Sequence, residues 1–134
     1  MTLSVDTDVP VGSLPPQVLG DATMCYSLMV NLLKNACEAA PQGSRVQVQL
    51  FSEDPLRVTI TNSGVVPAAI RPSFFDKYVT SGKPGALGLG TYSARLLARA
   101  QSGDVALAVD DAAQTTCVTV TLPVVPSAAG APAA

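Results

Sequence analysis

Asn31-Leu32-Leu33-Lys34-Asn35-Ala36-Cys37-Glu38 is the stretch on which the reading of this chain turns. On a helix that advances about 100° per residue, Asn31, Asn35 and Glu38 fall within roughly 60° of one another. Cys25, Met29, Leu32, Leu33 and Ala36 share the opposite arc, which is apolar. Such a helix buries one side and holds two amides and a carboxylate in line along its polar side. These are hard oxygen donors of the kind that suit Mg²⁺. Asp21 is placed to cap the helix, and Pro41-Gln42-Gly43 to end it near Ala40.

Two alternating runs follow. Val46, Val48 and Leu50 share one face against Arg45, Gln47 and Gln49; Leu56, Val58 and Ile60 share one face against Arg57, Thr59 and Thr61. With Glu53-Asp54-Pro55 between them, they read as a hairpin with one buried face. Asn62 continues the inward series and is expected to point between sheet and helices, where a polar side chain needs a partner. From Asn62-Ser63-Gly64 to Pro84-Gly85 periodicity fades and breakers accumulate, which predicts a long, partly mobile loop. A second helix is expected from Leu89 to Gln101, closed by Ser102-Gly103. Strands over Asp104–Val109 and Thr115–Leu122 follow, joined through Asp110-Asp111, with Val118, Val120 and Leu122 inward. At the other end, Met1–Asp6 reads as a short edge strand and Val9–Pro16 as a Pro- and Gly-broken connector. The expected fold is therefore an α/β two-layer sandwich (α+β), a mixed, mostly antiparallel sheet covered on one face by helices. Residues 1–122 form one domain and 123–134 a Pro/Ala-rich disordered tail or linker.

Composition narrows the function. A net charge of −2 and the lack of a basic cluster argue against nucleic acid. No apolar run approaches the length of a membrane span, and no signal peptide is visible, so no direct membrane insertion and a cytoplasmic domain are expected. Cys25, Cys37 and Cys117 are odd in number, lack metal-ligand spacing, and read as reduced thiols. The glycine-rich run Ala86-Leu87-Gly88-Leu89-Gly90-Thr91 opens the second helix and can bring backbone N–H groups to phosphates. The sequence contains no histidine.

Taken in order, these segments resemble the ATP-binding catalytic domain of bacterial sensor histidine kinases, of the GHKL superfamily that also holds gyrase-type ATPases. Asn31–Glu38 resembles the N box, Asn62-Ser63-Gly64-Val65-Val66-Pro67 the adenine-binding G1 box, Phe75-Asp76-Lys77-Tyr78 with Thr80–Lys83 the F box and end of the ATP lid, and Ala86–Thr91 the phosphate-binding G2 box. The resemblance implies a Bergerat ATP-binding fold that takes ATP and Mg²⁺, with Asn35 as the metal ligand. It implies nucleotide contacts from Asn31, Asn35, Glu38, Asn62, Gly64, Lys83, Gly85, Gly88, Leu89, Gly90 and Thr91, with Lys83 a candidate catalytic cation.

Residue 31 separates two branches of the superfamily. Gyrase-type ATPases carry a glutamate there that activates water; Asn31 resembles the histidine kinases, whose acceptor is a histidine. The implied partners are the histidine-bearing dimerisation helices of a parent kinase, which can be membrane-anchored, and a downstream response regulator. Three departures from the family pattern point to weaker ATP binding. Asn62 stands where aspartate is usual, Val65-Val66 replaces the second G1 glycine, and Ala86 and Leu87 replace a glycine and a threonine. The alternatives are a degenerate nucleotide-binding or docking module (a pseudokinase) and a serine kinase of the anti-sigma-factor type.

Overall fold

The computed structural model describes residues 2–7, 21–41, 43–51, 55–76 and 90–124. Their order is β1 (Thr2–Thr7), α1 (Ala22–Ala39), β2 (Arg45–Phe51), β3 (Leu56–Ser63), a 3₁₀ helix (Ala68–Ser73), α2 (Gly90–Ala100), β4 (Asp104–Asp110) and β5 (Thr115–Leu122). The five strands form one sheet in the order β1-β2-β3-β5-β4. β1 runs parallel to β2, and every other pairing is antiparallel. This is the expected mixed sheet, with the N-terminal strand on its edge.

Register carries the alternation seen in the sequence across the sheet. Val48, Ile60, Val118 and Leu107 lie in one row, and Leu50, Val58, Val120 and Val105 in the next. These rows face the helices. Leu28, Leu32 and Ala36 of α1 and Ala94 and Ala98 of α2 are buried against Val46, Val48, Ile60, Val105, Val118 and Val120 in a single cluster. The small side chains on α2 let its backbone come close to the rest of that core.

α1 begins as its sequence predicts: Asp21 is the N-cap, and its carboxylate accepts from the Met24 N–H at 2.9 Å. Gln101 locks this end to the end of α2. Its side-chain oxygen accepts from the Asp21 N–H at 2.8 Å and from Cys25 Sγ at 3.3 Å, while its amide nitrogen donates to the Leu97 carbonyl at 3.0 Å. At its other end, α2 starts beside the middle of α1: a Cβ at Gly90 would stand 4.0 Å from the Asn31 carbonyl oxygen. The two helices are therefore antiparallel neighbours, in register from Asp21–Gln101 to Asn31–Gly90.

One local expectation changes. The 3₁₀ helix Ala68–Ser73 lies inside the segment expected to be a loop. Pro72 within it blocks a longer α-helix, and its bonds, such as Ile70 N–H to the Pro67 carbonyl at 3.0 Å, are local. α2 is closed at Ser102-Gly103, as its sequence predicts. The Gly103 N–H donates to the Ala98 carbonyl at 2.8 Å and the Ser102 N–H to the Arg99 carbonyl at 3.1 Å, a Schellman closure. The left-handed residue in it is Ser102, at φ 65°, and not the glycine. Gly103 answers a different need: a Cβ there would run into the Thr121 carbonyl oxygen and lie 2.9 Å from Leu122 Cδ2.

Two substitutions in this turn are therefore expected to act in opposite directions. Gly103→Ala should cost about 1–3 kcal/mol, because β5 backbone must shift to admit the methyl group. Ser102→Gly should gain roughly 0.5–1 kcal/mol, the relief of the left-handed serine less the extra freedom of an unfolded glycine. Urea denaturation of the two variants checks both signs.

Candidate functional site

At one end the helix-facing side of the sheet turns polar. The row beyond Ile60 and Val118 pairs Val46 with Asn62 and Asn62 with Thr116. Asn62 is 5% exposed and Thr116 4%, so both are buried polar groups that require partners. Asn62 Nδ2 donates to the Ser63 carbonyl at 2.8 Å, which leaves the amide oxygen as the atom with which Asn62 accepts. Thr116 Oγ1 donates to the Gly64 carbonyl at 2.9 Å. The expectation that Asn62 points inward and needs a partner is met by its neighbour's backbone.

Gly64 makes the turn off β3. Its φ is +100°, and a Cβ there would sit 3.8 Å from the Ala39 carbonyl oxygen at the end of α1. That backbone conformation suits only glycine among common residues. The end of β3 is thereby placed beside the C-terminal half of α1, whose polar stripe consists of half-buried Asn31 and Asn35 and exposed Glu38. Gly90, next to Asn31, sets the N-terminus of α2 at the other side of that stripe. A helix N-terminus offers free N–H groups and a partial positive charge.

Of the sequence-derived site residues, Asn31, Asn35 and Glu38 thus share one helix segment, flanked by Asn62 and Gly64 on one side and Gly90 and Thr91 on the other. Lys83, Gly85, Gly88 and Leu89 lie outside the described residues, as do Tyr78, Ala86 and Leu87 and the tail from residue 125. Thr91 is 8% exposed, and its hydroxyl donates to the Phe74 carbonyl at 2.8 Å. That hydroxyl fastens the start of α2 to the segment after the 3₁₀ helix. Phe74 is buried and meets Phe75 edge to face with ring centroids 4.9 Å apart. The Arg95 guanidinium lies 5.1 Å above the Phe75 ring, and its Nε donates to Asp104 at 3.2 Å. Phe74 belongs to the buried core cluster, and Phe75 packs against it.

The donor set fits a metal–nucleotide site of a particular type. Among the described residues no three His, Cys, Asp or Glu side chains converge as a metal cage. The amides of α1 instead match Mg²⁺ held by few protein oxygens together with phosphates. Sequence reasoning missed Thr116, although the alternation that marks Asn62 also puts Thr116 on the inward face. It missed Arg71, whose Nε donates to the Val66 carbonyl at 2.8 Å and whose Nη1 and Nη2 reach Asp111 at 3.0 and 2.8 Å. No local pattern joins residues 71 and 111.

Comparison with known proteins identifies the family and agrees with the fold. Residues 20–126 match the family of histidine kinase-, DNA gyrase B- and HSP90-like ATPases. The chain belongs to that family. It is 32% identical over 129 residues to the sensory histidine kinase/phosphatase NtrB of Rhodobacter capsulatus, covering 85% of this chain and 35% of the relative. It is 28% identical over 105 residues to the adaptive-response sensory kinase SasA of Thermosynechococcus vestitus, covering 74% of this chain and 27% of that one. The chain therefore spans about a third of the length of these relatives. Among solved structures, the mycobacterial sensor histidine kinase MprB superposes with a TM-score of 0.78 at 26% identity, covering 94% of this chain and 85% of that one. Full-length ShkA in complex with AMPPNP gives 0.77 at 19% identity, covering 94% of this chain and 26% of that one, and shows the same fold. The chain is an ATP-binding catalytic domain of the sensor histidine kinase type, as its ordered boxes imply. No helix among the described residues is long and apolar enough to cross a membrane.

The buried Thr91–Phe74 bond tests how the site is assembled. Thr91→Val keeps the shape but leaves the Phe74 carbonyl without its donor, and is expected to cost about 1–3 kcal/mol in chemical denaturation. Thr91→Ser should retain most of the stability.

Proposed function

We propose that this domain binds Mg·ATP and presents the γ-phosphate to a histidine on a separate helical hairpin of a parent kinase, from which the phosphate passes to a response regulator. The observation that carries the reading is the convergence of three unlike elements: the amides of α1, the N-terminus of α2, and the buried Asn62 at the end of β3. Each matches one part of the nucleotide. Asn62 accepts from the adenine amino group through its amide oxygen. The N–H groups opening α2 meet the phosphates. Asn35 supplies the protein oxygen ligand for Mg²⁺, which neutralises charge on the triphosphate when bound.

The chain's own residues bind and orient, and supply no base. Asn31 has no basic atom to take a proton from water, which favours transfer over hydrolysis. The sequence holds no histidine, so the acceptor is a side chain of another segment or protein. Alignment and charge neutralisation are what phosphoryl transfer asks of the ATP-binding part. Glu38, exposed at the end of the stripe, is assigned to the nucleotide site, and Lys83 to the phosphates. The serine-kinase reading gains no support, since Asn31 cannot activate a hydroxyl. Lost nucleotide binding would leave the convergence of the three elements without a role.

Two measurements test this. Saturating Mg·ATP at 100 times its Kd should stabilise the wild type by about 2.7 kcal/mol, and Asn35→Ala should fold but lose that stabilisation; equal stabilisation of both removes Asn35 from the metal. With labelled ATP, the chain alone should neither label itself nor turn ATP over. Mixed with a helical hairpin bearing the cognate histidine, it should place acid-labile, base-stable phosphate on that hairpin. Acid-stable phosphoserine on the partner, or vigorous hydrolysis, would overturn the reading.

A further inference from the structure

The turn that follows Asn62 leaves the sheet but stays fastened to a distant hairpin. The Gly64 N–H donates to the Gln114 carbonyl at 2.8 Å, and the Gly64 carbonyl accepts from Thr116 Oγ1 at 2.9 Å. Two residues on, the Val66 carbonyl accepts from Arg71 Nε at 2.8 Å. The other two guanidinium nitrogens fork Asp111, Nη1 to Oδ2 at 3.0 Å and Nη2 to Oδ1 at 2.8 Å. Arg71 thus uses all three nitrogens to join the turn after β3 to the turn between β4 and β5.

The receiving turn is itself braced. The Ala113 N–H donates to Asp110 Oδ1 at 3.0 Å, and Gln114 Nε2 donates to the Asp111 carbonyl at 2.7 Å. Gln114 adopts a left-handed φ of 57°, which aims its carbonyl at Gly64. Hydrogen bonds from Arg71 hold the Asp111 carboxyl below the ordinary aspartate range, so it is ionised at neutral pH. The pair is too exposed, at 27% and 65% of its side chains, to contribute much to global stability. What a two-pronged guanidinium–carboxylate contact does supply is a fixed orientation, which lysine cannot reproduce.

A contact that fixes geometry without adding much stability, placed against the turn beside Asn62, has a use at the base end of the site. We propose that Arg71 and Asp111 are positioning residues for adenine recognition: by pinning the Gly64–Val66 turn to the β4–β5 turn, they hold Asn62 in the arrangement that accepts the base. The inference rests on the nucleotide reading given above. Neither residue touches the nucleotide; both act through the turn.

The test compares the wild type with Asp111→Ala and Arg71→Lys, by calorimetric titration with Mg·ATP and Mg·GTP and by amide exchange at Gly64 in the ligand-free chain. Both variants should keep the wild-type melting temperature to within a few degrees, lose about 5–10-fold in ATP affinity, and change GTP affinity by less than about 2-fold. Exchange at Gly64 should accelerate about 10-fold as the turn detaches. Arg71→Lys keeps the charge and perturbs folding least, so its agreement with Asp111→Ala marks the fork, and not the charge, as the cause. ATP affinity unchanged in both variants, or ATP and GTP affinity falling in the same proportion, overturns the positioning role while leaving the nucleotide reading intact. A wild type that binds no nucleotide, or that does not prefer ATP, overturns the nucleotide reading and this inference with it.

Discussion

The seating of α1 on the sheet is the constraint from which the rest of the molecule follows. Leu28, Leu32 and Ala36, spaced four apart, are 0%, 2% and 3% exposed. Burying the two leucines is worth about 1.5–3 kcal/mol each, so the helix cannot roll about its axis without giving up much of the domain's small net stability. A fixed roll angle fixes everything else on the helix. Asn31 and Asn35 are held at the border between core and solvent, half-buried, with Glu38 further out. A slip of one residue in the buried series would turn the amides by about 100° and take them out of the site.

The polar end of the sheet departs from what stability alone would select. Over two rows the helix-facing side is wholly aliphatic; in the next, Asn62 and Thr116 stand where a stability-optimised core would carry valines. Both are buried, and each is offset by a bond to the backbone around Gly64. Those bonds make the turn and the polar row one unit: moving Gly64 would strand the Thr116 hydroxyl in a poorly hydrated place. On the opposite face, Thr59 Oγ1 is buried without a hydrogen-bond partner. The outer face shows that an unsatisfied threonine is tolerated singly. The inner row could not absorb two polar groups without partners.

What could be read from sequence was whatever had a period. The strand phases over Val46–Leu50, Leu56–Asn62 and Val118–Leu122, and the stripe of α1, follow from alternation and from 3.6 residues per turn, and the structure reproduces them in register. The one-sided sheet follows from those phases. Readings that depended on a single residue type fared differently. The Ser102-Gly103 closure is legible, but the division of labour inside it is not: crowding by Thr121 and Leu122 demands the glycine, and Ser102 bears the left-handed turn. The 3₁₀ helix escaped because six residues containing Pro72 have no room for a period. Contacts such as Arg71–Asp111 and Gln101–Asp21 join positions 40 and 80 residues apart. They are invisible to local pattern because they exist only once the sheet order β3-β5-β4 and the antiparallel helices have brought their elements together.

The neutrality of Asn31 has an electrostatic consequence beyond the loss of a base. Residue 31 lies beside the first turn of α2, where the partial positive charge of the helix end is concentrated. A carboxylate there would be favoured by roughly 0.3–1 kcal/mol on helix-end electrostatics alone, so local stability would select glutamate. The chain carries an amide instead. An amide adds no negative charge to compete with an incoming anion at the positive end of α2. On the nucleotide reading proposed above, a neutral residue 31 thus does two things. It withholds the proton acceptor that water would need, and it leaves the helix end to the phosphates.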